Sequence, residues 1–119
     1  MFLELAHTKL DIFKISKEFV LNCYKETKSF PTDEKFGLTQ QIRRAALSVH
    51  LNIAEGSSRK SVVERKRFFE IARGSVIEID TALDIGVELG YIKKTTLSKL
   101  GIFLVRCFQM LSKLISKME

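Results

Sequence analysis

The sequence predicts an all-α protein, an antiparallel up-down-up-down four-helix bundle formed by one domain over residues 1–119. Three observations carry that prediction. Apolar residues recur at three- and four-residue intervals in four separate stretches, the spacing that lines up one face of a helix. Proline occurs once and glycine six times, too few for the turns of an all-β fold. The links between the periodic stretches are short, which makes successive helices antiparallel neighbours. A chain of 119 residues with 45% hydrophobic and 29% charged side chains has the size and balance of one globular domain.

The first helix is expected from Leu3 to Lys28. Leu5, Ile12, Ile15, Phe19 and Cys23 make its stripe, widened by Phe13, Val20 and Tyr24. Pro31 closes this stretch, because a residue before proline, here Phe30, is pushed towards extended geometry. Thr32 to Lys35 reads as a single turn capped by Thr32, with Gly37 closing it in a left-handed conformation. The second helix is expected from Thr39, a second cap, to Gly56. Ile42, Ala45, Ala46, Val49 and Ile53 lie on one of its faces, and the alanines let a neighbour approach closely.

Ser61-Val62-Val63-Glu64 matches a capping box, so the third helix starts there. Phe68, Ala72, Ser75, Ile79, Ala82, Gly86 and Leu89 set its rhythm up to Gly90. The fourth begins near Thr95 or Thr96. Leu97, Leu104, Leu111 and Met118 repeat every seven residues, with Leu100, Cys107 and Leu114 between them. A three-helix core with a detached first helix is the alternative, and the strength of the first stripe disfavours it.

The net charge is +6, which suits nucleic acid, an anionic membrane surface or an acidic protein partner. No apolar run is long enough to span a bilayer, and the N-terminus lacks the parts of a signal peptide. Cys23 and Cys107 read as buried free thiols in a reducing compartment. The expectation is a cytoplasmic protein without a membrane anchor.

Catalytic and metal-binding patterns are missing, so a non-enzymatic protein without cofactor or metal is expected. Glu4-x-x-His7 has the spacing of a carboxylate-bridged metal bundle, but such a site needs a second copy and further glutamates. His50 reads as a packing or surface histidine. The leading candidate site is instead a basic cluster, Arg59, Lys60, Arg65, Lys66, Arg67 and Arg73. It falls at the start of the third helix, where the helix dipole disfavours cations by a few tenths of a kcal/mol each. Glu78, Asp80, Asp84 and Glu88 occupy the other half, where the dipole favours bases. Phosphate binding explains that reversal. The competing reading gives the charges internal partners: Arg43, Glu55 and Glu78 as structural ion pairs, with Lys93, Lys94 and Lys99 facing Asp84 and Glu88. A further set, Phe13, Val20 and Tyr24 with Phe103, Val105 and Phe108, exceeds what one core absorbs and marks an oligomer interface.

Several stretches together resemble the 23S rRNA intervening-sequence proteins. They are Phe30-Pro31, Phe36-Gly37-Leu38-Thr39, Gln41-Ile42-Arg43-Arg44-Ala45-Ala46, Asn52-Ile53-Ala54-Glu55-Gly56, Arg59-Lys60-Ser61, Phe68, Ala72-Arg73-Gly74-Ser75, Glu78 to Leu83, and Leu89-Gly90-Tyr91-Ile92. Where that family usually has a proline this chain has His50, which predicts a straighter second helix. Where it often has an early tryptophan this chain has Phe13. The resemblance implies a bundle that assembles into a homopentameric ring, and kinship with a retroelement accessory protein that associates with a reverse transcriptase and nucleic acid. It supplies no established activity. Two functions therefore stand side by side: an RNA- or DNA-binding accessory module, and a structural adaptor for a protein partner.

Overall fold

The computed structural model describes residues 1–119 and has four α-helices and no strands. They are α1 (Asp11–Glu26), α2 (Leu38–Ser58), α3 (Val62–Glu88) and α4 (Ser98–Ser116). Paired contacts fix their directions. Ser16 meets His50 while Tyr24 meets Arg43, so α1 and α2 run opposite ways. Ser48 meets Ser75 and Gln41 meets Glu78 across α2 and α3. Lys66 reaches Glu119 and Arg73 reaches Ser112 across α3 and α4. The bundle is thus up-down-up-down. Its α2–α3 corner shares one end with the start of α1 and the end of α4.

The core follows the expected stripes with informative exceptions. In α4, Leu100, Leu104, Cys107, Leu111 and Ile115 are buried at spacings of three and four, Ile115 taking the inward place expected of Leu114, which is half-buried. In α3 Phe69, Ala72, Val76, Ile79, Ala82, Leu83 and Gly86 are buried, so Ala72, Ile79, Ala82 and Gly86 fall as expected, while Phe68 and Ser75 are only half-buried and Leu89 is exposed. Phe69 and Val76 take the inward places of Phe68 and Ser75, because Phe69 fits against Gly56 of α2. Ala45, Ala46 and Ala72 are buried too, and α2 and α3 share the largest interface of the bundle. Side chains that end at Cβ let helix axes approach.

The first helix is shorter than its periodicity predicts. Ala6–Lys9 forms one 3-10 turn, Leu10 is extended, and α1 starts only at Asp11. Leu5 is exposed, so nothing holds the leading apolar residues in helical register. At the other end Thr27–Ser29 tightens into another 3-10 turn before Phe30, which takes extended geometry ahead of Pro31 as expected.

Two glycines act differently from their sequence reading. Gly56 lies inside α2, which continues to Ser58. A methyl carbon there would stand 2.9 Å from the Phe69 ring, so its role is close helix contact rather than termination. Gly37 is not left-handed, having φ −113° and ψ −117°. Neither Thr32 nor Thr39 caps a helix with its side chain. Glu34 replaces them: its carboxylate accepts the Leu38 N–H at 3.0 Å and the Tyr91 hydroxyl at 2.8 Å.

The predicted start and stop of α3 both stand. Ser61 Oγ accepts the Glu64 N–H at 3.4 Å. Gly90 has φ 78°, and the Tyr91 N–H reaches the Gly86 carbonyl while the Gly90 N–H reaches Val87, closing the helix end. No helix is long and apolar enough to cross a membrane.

Candidate functional site

The link Arg59–Ser61 turns the chain sharply from α2 into α3, and the Ser61 cap aims the first turns of α3 outwards from the corner. Arg59 folds back: its guanidinium donates to Glu55 at 3.0 Å and lies 5.1 Å over the Phe68 ring. Lys66 approaches Glu119 at 3.6 Å. Arg73 donates to Ser112 at 3.4 Å. Arg65 is half-buried, and its Nε is buried without a hydrogen-bond partner. Lys60 and Arg67 are exposed and have no carboxylate within ion-pair distance. The predicted cluster therefore divides: Arg59 folds onto α2, Lys66 and Arg73 reach towards α4, Arg65 is partly buried, and Lys60 and Arg67 stand free of carboxylate partners.

Arg43, Glu55 and Glu78 do not form the ion-pair set expected of them. Arg43 donates through Nε to Thr27 Oγ1 at 2.9 Å and through Nη2 to the Tyr24 carbonyl at 3.2 Å, with its charge 4.9 Å over the Tyr24 ring. Glu55 holds Arg59, one helical turn on. Glu78 accepts from Gln41 at 2.6 Å. The physical reason is helix phase: Arg43 faces α1, while Glu78 meets α2 at Gln41, on a different side of that helix. Lys93, Lys94 and Lys99 likewise pair with no acid, so Asp80, Asp84 and Glu88 stay unanswered within the chain. The reversed polarity of α3 is partial: its first turn carries the favourable Glu64, while its last turn ends in Glu88 and holds no base.

The apolar set proposed as an interface divides. Val20 is 8% exposed and belongs to the core, because α1 turns that face inward against its neighbours. Phe13, Tyr24 and Phe103 are half-buried against the core. Val105 and Phe108 are exposed, and Ile102, at 60%, joins them on the same face of α4.

His50 packs internally. Its Nδ1 lies 2.6 Å from Ser16 Oγ, and its ring stacks 4.3 Å from Phe13, against which His7 sits edge-on. Burial, then the nearby Lys17 and His7 charges, hold its basicity below the ordinary histidine value of 6.5. Helix α2 passes through this position unbroken. Cys23 and Cys107 are free and buried, and desolvation pushes both thiols up to about 12.

One feature escapes sequence reading. At the far end of the bundle, Tyr24, Lys35, Phe36, Thr39, Arg43 and Arg44 line a depression of about 370 Å³ with no acid in its wall. The signal available in sequence was the adjacent pair Lys35-Phe36, followed at short distance by Arg43-Arg44. Tyr24 joins them only when α1 folds beside α2.

Residues 8–113 match the family model described as 23S rRNA-intervening sequence protein. A crystal structure of a protein of unknown function from the S23 ribosomal protein family of Bacteroides thetaiotaomicron VPI-5482 is similar in fold, with a TM-score of 0.76 at 21% identity. The similarity covers 87% of this chain and 97% of that one. No curated protein matches the chain.

Proposed function

Because the chain belongs to the 23S rRNA-intervening sequence protein family, we infer from its charge layout a non-enzymatic, cytoplasmic accessory module that binds RNA through the α2–α3 corner. The observation carrying this reading is the pair of exposed, unpaired cations Lys60 and Arg67 at the start of α3. A cation at a helix start is electrostatically misplaced until an anion meets it. Half-buried Arg65, Lys66 and Arg73 add positive charge nearby, the last two on the side facing α4. Ile102, Val105 and Phe108 on α4 supply an apolar patch for self-association, into the ring of five that the family resemblance implies. A ring repeats the corner around its rim, so weak phosphate contacts add by multivalency.

Binding of this kind is indifferent to sequence and falls steeply with salt, since counterion release drives it. The test is RNA affinity across a salt series for the wild type and for the double variant Lys60→Gln, Arg67→Gln, with oligomeric state measured alongside. For a single strand, each phosphate that the protein no longer neutralises flattens the logarithmic salt slope by about 0.7. Equal affinities and slopes in two folded, equally assembled proteins would refute the corner as the binding surface.

A specific observation favours a second reading, a structural adaptor for a protein partner such as a polymerase. Between α3 and α4 runs a groove lined by Leu83, Val87, Leu97 and Leu100, with Asp80, Asp84 and Glu88 outnumbering the one cation, Lys94, along it. Acid-rich apolar grooves suit a basic amphipathic segment. Unchanged RNA binding in the corner variant would move preference here.

A further inference from the structure

We propose that the depression at the start of α2 is a second binding site, one that takes a nucleoside phosphate by stacking its base on Phe36 and holding its phosphate with Lys35 and Arg44. The site is separate from the α2–α3 corner. Arg44 and Arg59 lie at opposite ends of α2 and are fifteen residues apart, roughly 22 Å along a helix.

Four observations converge. Phe36 is 80% exposed, a whole aromatic face offered to solvent at the tip of a turn. Lys35 Nζ stands 5.5 Å from the centre of that ring, so a positive charge borders the stacking surface. Arg44 is exposed and Arg43 half-buried, and neither has a carboxylate partner. Arg43 is held rigid by neutral acceptors alone, Thr27 Oγ1 and the Tyr24 carbonyl, with its charge over the Tyr24 ring. Such a charge is oriented and uncompensated, which favours an incoming anion. The carboxylate of Glu34 is turned to the Leu38 N–H and the Tyr91 hydroxyl, and neither it nor Asp33 lines the depression.

The combination selects the ligand class. Three cations without an aromatic would suit any small anion. An exposed ring flanked by cations gives an additional π-surface, and nucleic-acid bases stack on such rings regardless of their identity. The depression, about 370 Å³ and open to solvent, lets a base lie against the ring without enclosing it. A duplex hides its base faces, so the site takes an unpaired base, either in a free nucleotide or at a single-stranded stretch.

The test uses the full-length chain and four probes: a fluorescein-labelled eight-residue oligoadenylate, the corresponding duplex, AMP and inorganic phosphate. Phe36→Ala removes only an exposed ring, and circular dichroism checks that helicity is kept. The expected result is a loss of roughly five-fold or more in oligoadenylate affinity for Phe36→Ala, the smallest effect that stacking of one base gives. Arg44→Gln weakens binding and flattens the salt slope. AMP shifts the amide resonances of residues 35–44 more than phosphate does, and the Lys60→Gln, Arg67→Gln variant keeps those shifts. AMP binding as tightly as the oligomer identifies the free nucleotide as the ligand, whereas tighter oligomer binding identifies a strand. Undiminished oligoadenylate binding by Phe36→Ala overturns the proposal, as does phosphate matching AMP or duplex matching single strand. If the corner variant alone loses oligonucleotide affinity, this inference fails while the corner reading stands. If only the Phe36 and Arg44 variants lose it, the reverse holds.

Discussion

At each end of the bundle a phenylalanine ring presses on a helical glycine, yet the two closures differ in how far they can give. At the α2–α3 corner, a methyl carbon on Gly56 would meet Phe69 Cε1 at 2.9 Å and Phe68 Cβ at 3.0 Å. Both belong to α3, and a Cβ moves only with its helix. At the opposite end, the same carbon on Gly86 would meet Phe30 Cζ at 3.0 Å, with the next ring atom at 3.4 Å. Phe30 sits on the link between helices and is buried, but the atom that meets the added carbon is the tip of its ring rather than a Cβ, so rotation of one side chain can relieve the contact. The corner is thus closed by helix against helix, and the far end by a side-chain clasp from the link.

Gly56→Ala is the substitution expected to do most damage. Overpacking a fixed contact costs about 1–3 kcal/mol, read as a lower midpoint in urea or heat. Gly86→Ala should come out within about 1 kcal/mol of neutral, since the ring yields and alanine improves helix propensity by a similar amount. Equal losses at the two sites would break the distinction. Gly74→Ala sharpens it, because Gly74 lies within α3 with nothing within 4 Å of the added carbon. This change should stabilise by about 0.5–1 kcal/mol, and it supplies the propensity contribution to subtract from the other two.

The smallest effect is local and depends on pH. The Leu38 N–H, and then the Tyr91 hydroxyl, hold the Glu34 carboxyl below its ordinary 4.5. A carboxylate with a lowered folded pKa stabilises fully above its unfolded value and loses that contribution as pH falls through the folded one. The clasp should therefore loosen below about pH 4.5, while the Ser61 cap at the corner has no group to titrate. Hydrogen-exchange protection factors for Leu38 and its neighbours should drop on acidification relative to those at Glu64. Glu34→Gln should remove that difference, and parallel behaviour at both ends would erase it.

Much of this contrast was legible in the sequence, and what was not has physical causes. Ser61 with Glu64, Gly90 and the leucine seam of α4 act locally, so spacing alone locates them. Gly56 read as a helix end because glycine is poor in helices, and only the approach of Phe69 from another helix reverses that reading. Gly37 and Thr39 read as cap residues, but Glu34 reaches forward to do the capping and is itself held by Tyr91, 57 positions away in sequence. The basic corner was visible because its cations are contiguous. The depression around Phe36 was not, since Tyr24 and Arg43 come together only after α1 and α2 pack. The ion pairs assigned to Arg43 and Glu78 required helix phase, which periodicity gives too loosely to choose between two neighbouring faces.

The two thiols have a consequence for watching the molecule move. Cys23 and Cys107 are wholly buried, one on α1 and one on α4, and stay protonated up to about pH 12. A thiol-reactive dye needs an exposed thiolate, so at neutral pH it labels neither until the seam between first and last helices parts. The labelling rate is then a clock for that parting, with no engineered reporter needed. Ligands at the corner or at the far end would slow the clock in proportion to how firmly they hold the two outer helices together.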